Sequence, residues 1–127
     1  MQFYPQFYRC PHCGQVISVL KDAGVQIICC GAPMQKLEPN TADASQEKHV
    51  PVVSREGDIV TVKIGGVPHP MQEDHHIEWI YLHMENGGQR RILAVPGAPE
   101  AKFCVEQGAP LEVFAYCNLH GLWKAAA

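Results

Sequence analysis

Three features of the sequence predict an all-β chain, an antiparallel β-sandwich preceded by a small metal-stapled module. Eleven Gly and ten Pro in 127 residues punctuate the chain too densely for a helical bundle. Between them lie short apolar segments that alternate with polar residues in period two. Nowhere does an amphipathic stretch of about 10–15 residues separate two such segments, as a parallel βαβ sheet would require. At roughly 150 residues per domain, the length predicts one domain, or one domain with a small appendage.

Taken in order, residues 1–36 stand apart. They hold Cys10, Cys13, Cys29 and Cys30 and two apolar stretches, Val16–Leu20 and Val25–Ile28, with Asp22-Ala23-Gly24 between them as a hairpin turn. A module below about 40 residues rarely folds on apolar burial alone, and the four cysteines are its staple. Residues 37–45 read as a linker, with one helical turn capped near Asn40 or Thr41. From there to residue 127 the chain reads as the sandwich. Ile59–Ile64 is a strand ended by Gly65-Gly66. Ile77–Met84 is another, with Ile77 and Trp79 alternating against Glu78 and Ile80. Asn86-Gly87 signals a hairpin into Arg90–Val95. Lys102–Val105 and Leu111–Cys117 complete the set, and the only biased stretch is the alanine tail, Ala125–Ala127.

Composition excludes several classes of function. Ten basic and thirteen acidic residues give a net charge of −3 with no basic stripe, which argues against a nucleic-acid partner. No apolar run approaches the ~20 residues of a membrane helix. The Met1–Arg9 segment has neither a basic start nor a continuous apolar run, so a cytoplasmic protein without a signal peptide is expected. In a reducing compartment six cysteines point to metal ligands or free thiols before disulfides.

Cys10-Pro11-His12-Cys13-Gly14 has the spacing of a metal knuckle, in which two thiolates grip one ion. Cys29-Cys30-Gly31 is the second pair. Neighbours on a strand point to opposite faces, so both reach one metal only through a bend, which should distort the tetrahedron. Four thiolates suit zinc or iron alike. A disulfide between adjacent cysteines would close a strained ring.

A second collection lies in the larger segment: Glu47-Lys48-His49, His69-Pro70-Met71, Asp74-His75-His76-Ile77-Glu78-Trp79 and Tyr116-Cys117-Asn118-Leu119-His120-Gly121. Cys117 continues the face of Leu111, Val113 and Ala115, so its sulfur should point inward from a strand end. Imidazoles with one thiolate suit iron, copper or zinc. A single His is by default a surface or core residue, and His12, His76 and His83 keep that reading. Cys104 reads as a small residue within the sandwich.

The order of these motifs resembles the desulfoferrodoxins, two-iron superoxide reductases, over nearly the whole chain from Cys10 to Trp123. The Cys-x-x-Cys and Cys-Cys-Gly head, Glu-Lys-His-Val-Pro-Val, His-Pro-Met, His-x-Ile-Glu-Trp and Tyr-Cys-Asn-x-His-Gly-Leu-Trp carry the resemblance. Ala32, Asp74 and His76 depart from the usual pattern, and Asp74 weakens local attraction of an anion. The resemblance implies a desulforedoxin-like module over 1–36 with iron on Cys10, Cys13, Cys29 and Cys30. It implies an immunoglobulin-like β-sandwich over 37–127 with a second iron on His49, His69, His75, His120 and Cys117. Four imidazoles in a plane and one axial thiolate would leave a sixth position open for superoxide. Lys48 would attract the anion and organise water for protonation. Glu47 would take the open position once the iron is ferric, helping product leave. The products would be hydrogen peroxide without dioxygen, the electron donor a rubredoxin, and the assembly a homodimer.

Two rivals stand beside this reading. One is a non-catalytic electron carrier or binding module, with iron or zinc on the four cysteines and structural histidines in the sandwich. The other is a superoxide dismutase, which would release dioxygen.

Overall fold

The computed structural model describes residues 5–127. The first four residues of the Met1–Arg9 segment therefore lie outside the described residues. The chain divides into two compact units, one ending at Glu38 and the other beginning at Pro39.

In the first unit, β1 (Gln6–Arg9) pairs antiparallel with β2 (Val16–Val19), from Gln6 opposite Val19 to Arg9 opposite Val16. A two-residue ladder follows, β3 (Ile28–Cys29) against β4 (Ala32–Pro33). Then β5 (Gln35–Lys36) returns to the free side of β1, giving the order β2-β1-β5. The expected hairpin between Val16–Leu20 and Val25–Ile28 does not form. Asp22 does close a local turn, its carboxylate accepting the Gly24 N–H at 2.8 Å with Gly24 at φ +76°. The stretch beyond it has no core to pack on, however: Leu20 is 87% and Val25 73% exposed. With nothing to bury, period-two alternation alone does not make a strand, and β2 turns to β1 instead.

The second unit is a sandwich of two antiparallel sheets. Helix α1 (Gln46–His49) precedes β6 (Pro51–Glu56), which pairs with β7 (Ile59–Ile64) along its whole length. Strand β8 (Ile77–Met84) turns into β9 (Gly87–Ile92), with Glu85 and Asn86 as the turn, one residue earlier than expected. Then come β10 (Glu100–Cys104), β11 (Glu112–Cys117) and β12 (Gly121–Ala126). The sheets have the orders β10-β7-β6 and β12-β11-β8-β9. Their inner faces interdigitate through Val60, Val62 and Ile64, Ile77, Ile80 and Leu82, Phe103, and Val113 and Ala115, all at most 1% exposed. Such alternation of buried and solvated residues is what a sandwich of aligned sheets demands.

The simple alternation expected for β8 is broken. Ile77 and Ile80 both face the core, three residues apart, because the pairing with β11 shifts register between Tyr116 and Cys117. Tyr116 sits opposite Trp79, while Cys117 sits opposite Ile77, so Glu78 is the extra residue of a bulge. The expected helical turn near Asn40 or Thr41 is also absent. Asn40, at φ +61°, instead docks on the free edge of β12: its amide donates to the Lys124 carbonyl at 3.2 Å and accepts the Lys124 N–H at 2.8 Å. The short helix forms later, at Gln46–His49, after Ser45. Cys104 belongs to β10 of the sandwich, as read, and is exposed; Phe103 and Val105 take the inward positions on either side of it.

Candidate metal centres

Cys10 and Cys13 bracket the turn that ends β1. The Gly14 N–H returns to the Cys10 carbonyl at 3.0 Å, with Gly14 at φ +81°, and the Cys10 N–H donates to Gln15 at 2.9 Å. That loop turns the Cys13 N–H onto Cys10 Sγ, 3.5 Å away. The second pair arises differently. Cys29 ends β3 opposite Ala32, which leaves Cys30 and Gly31 as the two central residues of a hairpin turn. Their φ angles, +53° and +73°, have the signs of a type I′ turn, the tight connection that suits twisted strands. This turn is the bend that adjacent cysteines require, and Cys30 takes a backbone conformation that non-glycine residues seldom adopt.

The four sulfurs lie within 4.8 Å of one another, and Cys13 Sγ is 3.7 Å from Cys29 Sγ. Metal–sulfur bonds of about 2.3 Å in a tetrahedron give sulfur–sulfur edges of about 3.8 Å, so the spacing fits one ion. It is far longer than a disulfide, about 2.05 Å, and all six cysteines are free. The electrostatics agree. The Cys13 backbone N–H holds the Cys10 thiol down at about 6, while the neighbouring Cys10 sulfur, first among several causes, pushes Cys29 up to about 12. Cys30 is also raised, chiefly by Cys13. The Cys10 thiolate forms readily while Cys29 and Cys30 resist ionisation, until a cation shares the charge.

The second centre gathers at one end of the sandwich. His49 ends α1, His69 follows β7, His75 precedes β8, Cys117 ends β11 and His120 lies in the turn to β12. Gly65 lets α1 close on the end of β7. A side chain there would come within 2.7 Å of the Lys48 carbonyl, and Gly65 is at φ +88°. The Gly65 N–H donates to Val50 at 3.2 Å and the His69 N–H to Ile64 at 3.1 Å, which brings His49 and His69 together.

His49, His69, His75 and Cys117 offer donor atoms within 4.8 Å of one another. His120 completes the group: its Nδ1 is 3.0 Å from His49 Nε2 and 3.8 Å from Cys117 Sγ. His49 Nε2 is also 3.2 Å from His69 Nε2. Metal–nitrogen bonds of about 2.1 Å at right angles set neighbouring nitrogens about 3.0 Å apart. The rings run in the cyclic order 49, 69, 75, 120, with successive centroids 4.7, 4.7, 5.2 and 4.9 Å apart and nearly perpendicular. The His49–His75 diagonal, 6.4 Å, is longer than any side. Cys117, fully buried among the core residues, joins this ring of imidazoles from a strand end. His75 Nε2 is buried with no hydrogen-bond partner. An orphaned ring nitrogen facing three imidazoles and a thiol is explained by an ion between them.

The protonation states suit that purpose. Burial lowers His49 and His75, and lowers His69 to about 4, so these three imidazoles are neutral and able to ligate near pH 7. The Lys48 charge adds to the lowering at both His49 and His75. Burial raises the Cys117 thiol, opposed by backbone N–H groups of Leu119 and His120 that point at the sulfur and favour its thiolate. His49 Nδ1 faces the Ser45 carbonyl at 2.6 Å and His69 Nδ1 the Pro70 carbonyl at 2.7 Å, contacts that leave each Nε2 for the cluster.

All nine residues expected to hold metal thus fall into two groups. Glu47 and Lys48 are exposed on α1 beside His49. His12, His76 and His83 are outside both groups; His76 turns its Nδ1 to the Gln72 carbonyl at 2.8 Å. Sequence reasoning passed over Trp123. This residue is fully buried, stacks on the His49 ring at 4.8 Å and donates its indole N–H to the His120 carbonyl at 3.1 Å. Its place three residues after His120 was the available signal.

Comparisons with known proteins agree with this geometry. Residues 41–126 match the family described as desulfoferrodoxin, and residues 4–37 the one described as desulfoferrodoxin, N-terminal domain. A desulfoferrodoxin of Syntrophotalea carbinolica is 45% identical over 120 residues, covering 94% of either chain. A superoxide reductase of Pyrococcus horikoshii is 38% identical, over 72% of this chain and 95% of its own. The crystal structure of the superoxide reductase from Treponema pallidum superposes with a TM-score of 0.79 at 34% identity, covering 97% of this chain and 99% of that one. With family models matching both units and a relative 45% identical over nearly the whole chain, the chain belongs to the desulfoferrodoxin family.

Proposed function

We propose that the chain is a superoxide reductase. Residues 1–36 form its four-cysteine iron module and residues 37–127 the domain in which the reaction occurs. The observation that carries this reading is the ring of four imidazoles beside the buried Cys117 sulfur, with His75 Nε2 left without a partner. An electron carrier has no use for such a site; a one-electron reaction with a small anion does.

His49, His69, His75, His120 and Cys117 would hold iron at the second centre, and Cys10, Cys13, Cys29 and Cys30 at the first. When bound at the second centre, iron supplies one reducing electron. The chain does the rest. Lys48, exposed on α1 and felt electrostatically at His49 and His75, draws in the anion, so steering is local in a molecule of net charge −3. Its ammonium also orders the water from which protons come. Cys117 contributes electron density from its thiolate, favoured by the Leu119 and His120 N–H groups. Glu47, exposed beside Lys48, would offer a carboxylate that favours departure of the product. The balance is one superoxide, one electron and two protons to one hydrogen peroxide.

The electron donor in this reading is a small rubredoxin-like protein and the compartment the cytoplasm. No helix among the described residues is long and apolar enough to cross a membrane. The assembly is a homodimer, and the exposed Leu20, Val25 and Ile28 of the first unit support association with a second copy.

Metal analysis and oxygen measurement test the proposal together. About two irons per chain, with superoxide consumed and no dioxygen evolved, is the expected result. One zinc and no iron would leave a binding module, and dioxygen among the products would make the protein a dismutase.

A further inference from the structure

We propose that Asn118 positions the His75 imidazole within the second centre. The inference rests on the reading of His75 and Cys117 as metal ligands. It starts from an asymmetry among the histidines. His49 and His69 each have a ring nitrogen on a backbone carbonyl, at 2.6 and 2.7 Å, and such contacts fix the tilt of a ligating imidazole. Neither His120 nor His75 has such a contact, and of the four only His75 has a ring nitrogen, Nε2, buried without a partner among the described residues. Its orientation must be set from the backbone.

Asn118 does this. Its side-chain oxygen accepts the His76 N–H at 2.9 Å, and its side-chain NH2 donates to the Asp74 carbonyl at 3.0 Å. Its own N–H donates to the His76 carbonyl at 3.2 Å. One residue therefore grips the backbone immediately before and after His75. The loop between is already pinched, with Gln72 and His75 exchanging N–H to carbonyl bonds at 2.9 and 3.2 Å. Since Asn118 follows Cys117, the grip fixes the His75 ring relative to the Cys117 sulfur.

The bulge at Glu78 explains the need. The shifted register between Tyr116 and Cys117 disturbs the regular β8–β11 ladder just where the His75 loop leaves it. The amide of Asn118 extends the pairing past that point, offering an acceptor and a donor on one short side chain. Asp keeps the acceptor and lacks the donor; Ala has neither.

The test uses the full chain loaded with Co2+, whose absorption differs between a four-thiolate site and a site of imidazoles with one thiolate and so reports each centre by itself, and follows release of that metal to a chelator. In Asn118→Ala, release from the second centre should be about ten- to a hundredfold faster, with the Cys117 thiolate band shifted. Asn118→Asp should fall between Ala and the parent, and the four-cysteine centre should keep its spectrum and release rate. Val113→Ala, a core change matched in melting temperature, should leave release at the parental rate. Release from Asn118→Ala at the parental rate, or no faster than from a Val113→Ala chain equally destabilised, would overturn the proposal. Failure of the parent to bind Co2+ at the second centre would instead overturn the metal reading beneath it.

Discussion

The two metal centres are built on opposite principles. In the first unit the only buried apolar residues among those described are Phe7, Cys10 and Met34, and one of these is itself a metal-site cysteine. Its three-stranded sheet and two-residue ladder have almost nothing to pack on, so the ion is the core. In the second unit two sheets bury a continuous apolar layer, and the imidazoles and Cys117 occupy one end of a structure that stands without them. A metal that makes a fold is enclosed by ligands from tight turns. A metal that performs a reaction is set on a scaffold already stable enough to hold neutral, desolvated histidines in place.

The difference is sharpened first by removing metal, the largest effect. Chelation of the first centre should unfold the first unit and leave the sandwich intact, since structural metal binding is worth about 10–16 kcal/mol in small thiolate modules. Circular dichroism and amide exchange resolved by residue should show protection lost from β1, β2 and β5 and retained in β7, β8 and β11. Uniform loss would break the comparison. Next comes the core. Leu82→Ala removes a fully buried side chain and should cost about 2–5 kcal/mol in the sandwich by denaturant unfolding, equally with and without metal on the four cysteines. Smallest is Lys48→Ala, which should slow superoxide capture on the order of tenfold at low salt, with both metals still bound, and much less at high salt. An unchanged low-salt rate would remove Lys48 from the reaction.

How legible each region was follows the same division. In the sandwich, strands with a strongly buried face were readable: Ile59–Ile64 appears as read, and Cys117 points inward with Val113 and Ala115, whereas β6 and β12 went unread and the largely exposed β9 runs Gly87–Ile92 rather than Arg90–Val95. In the first unit the pairing was misread, because with Leu20 and Val25 exposed no burial constrains which apolar stretch meets which. Its metal chemistry was nonetheless plain, since Cys-x-x-Cys spacing reports a loop geometry that needs no core. The bulge at Glu78 was invisible in the sequence, as one extra residue changes a register without changing composition. Trp123 and Asn118 act through contacts with residues already recognised, the indole on His49 and the amide on either side of His75, and such roles emerge only once the partners are in place. Cys104 lies on a sandwich strand and outside both metal groups, as read, with its side chain exposed because Phe103 and Val105 take the inner positions.

The central claim is that the chemistry belongs to the second centre and the structure of the first unit to the other. It is tested most directly on full-length protein carrying redox-inert zinc at the four cysteines and ferrous iron at the histidines, given a pulse of superoxide under stopped flow. Capture at the rate of the two-iron protein, with one peroxide per chain and no dioxygen, is the expected result. Loss of capture when zinc replaces iron at the four cysteines would contradict it.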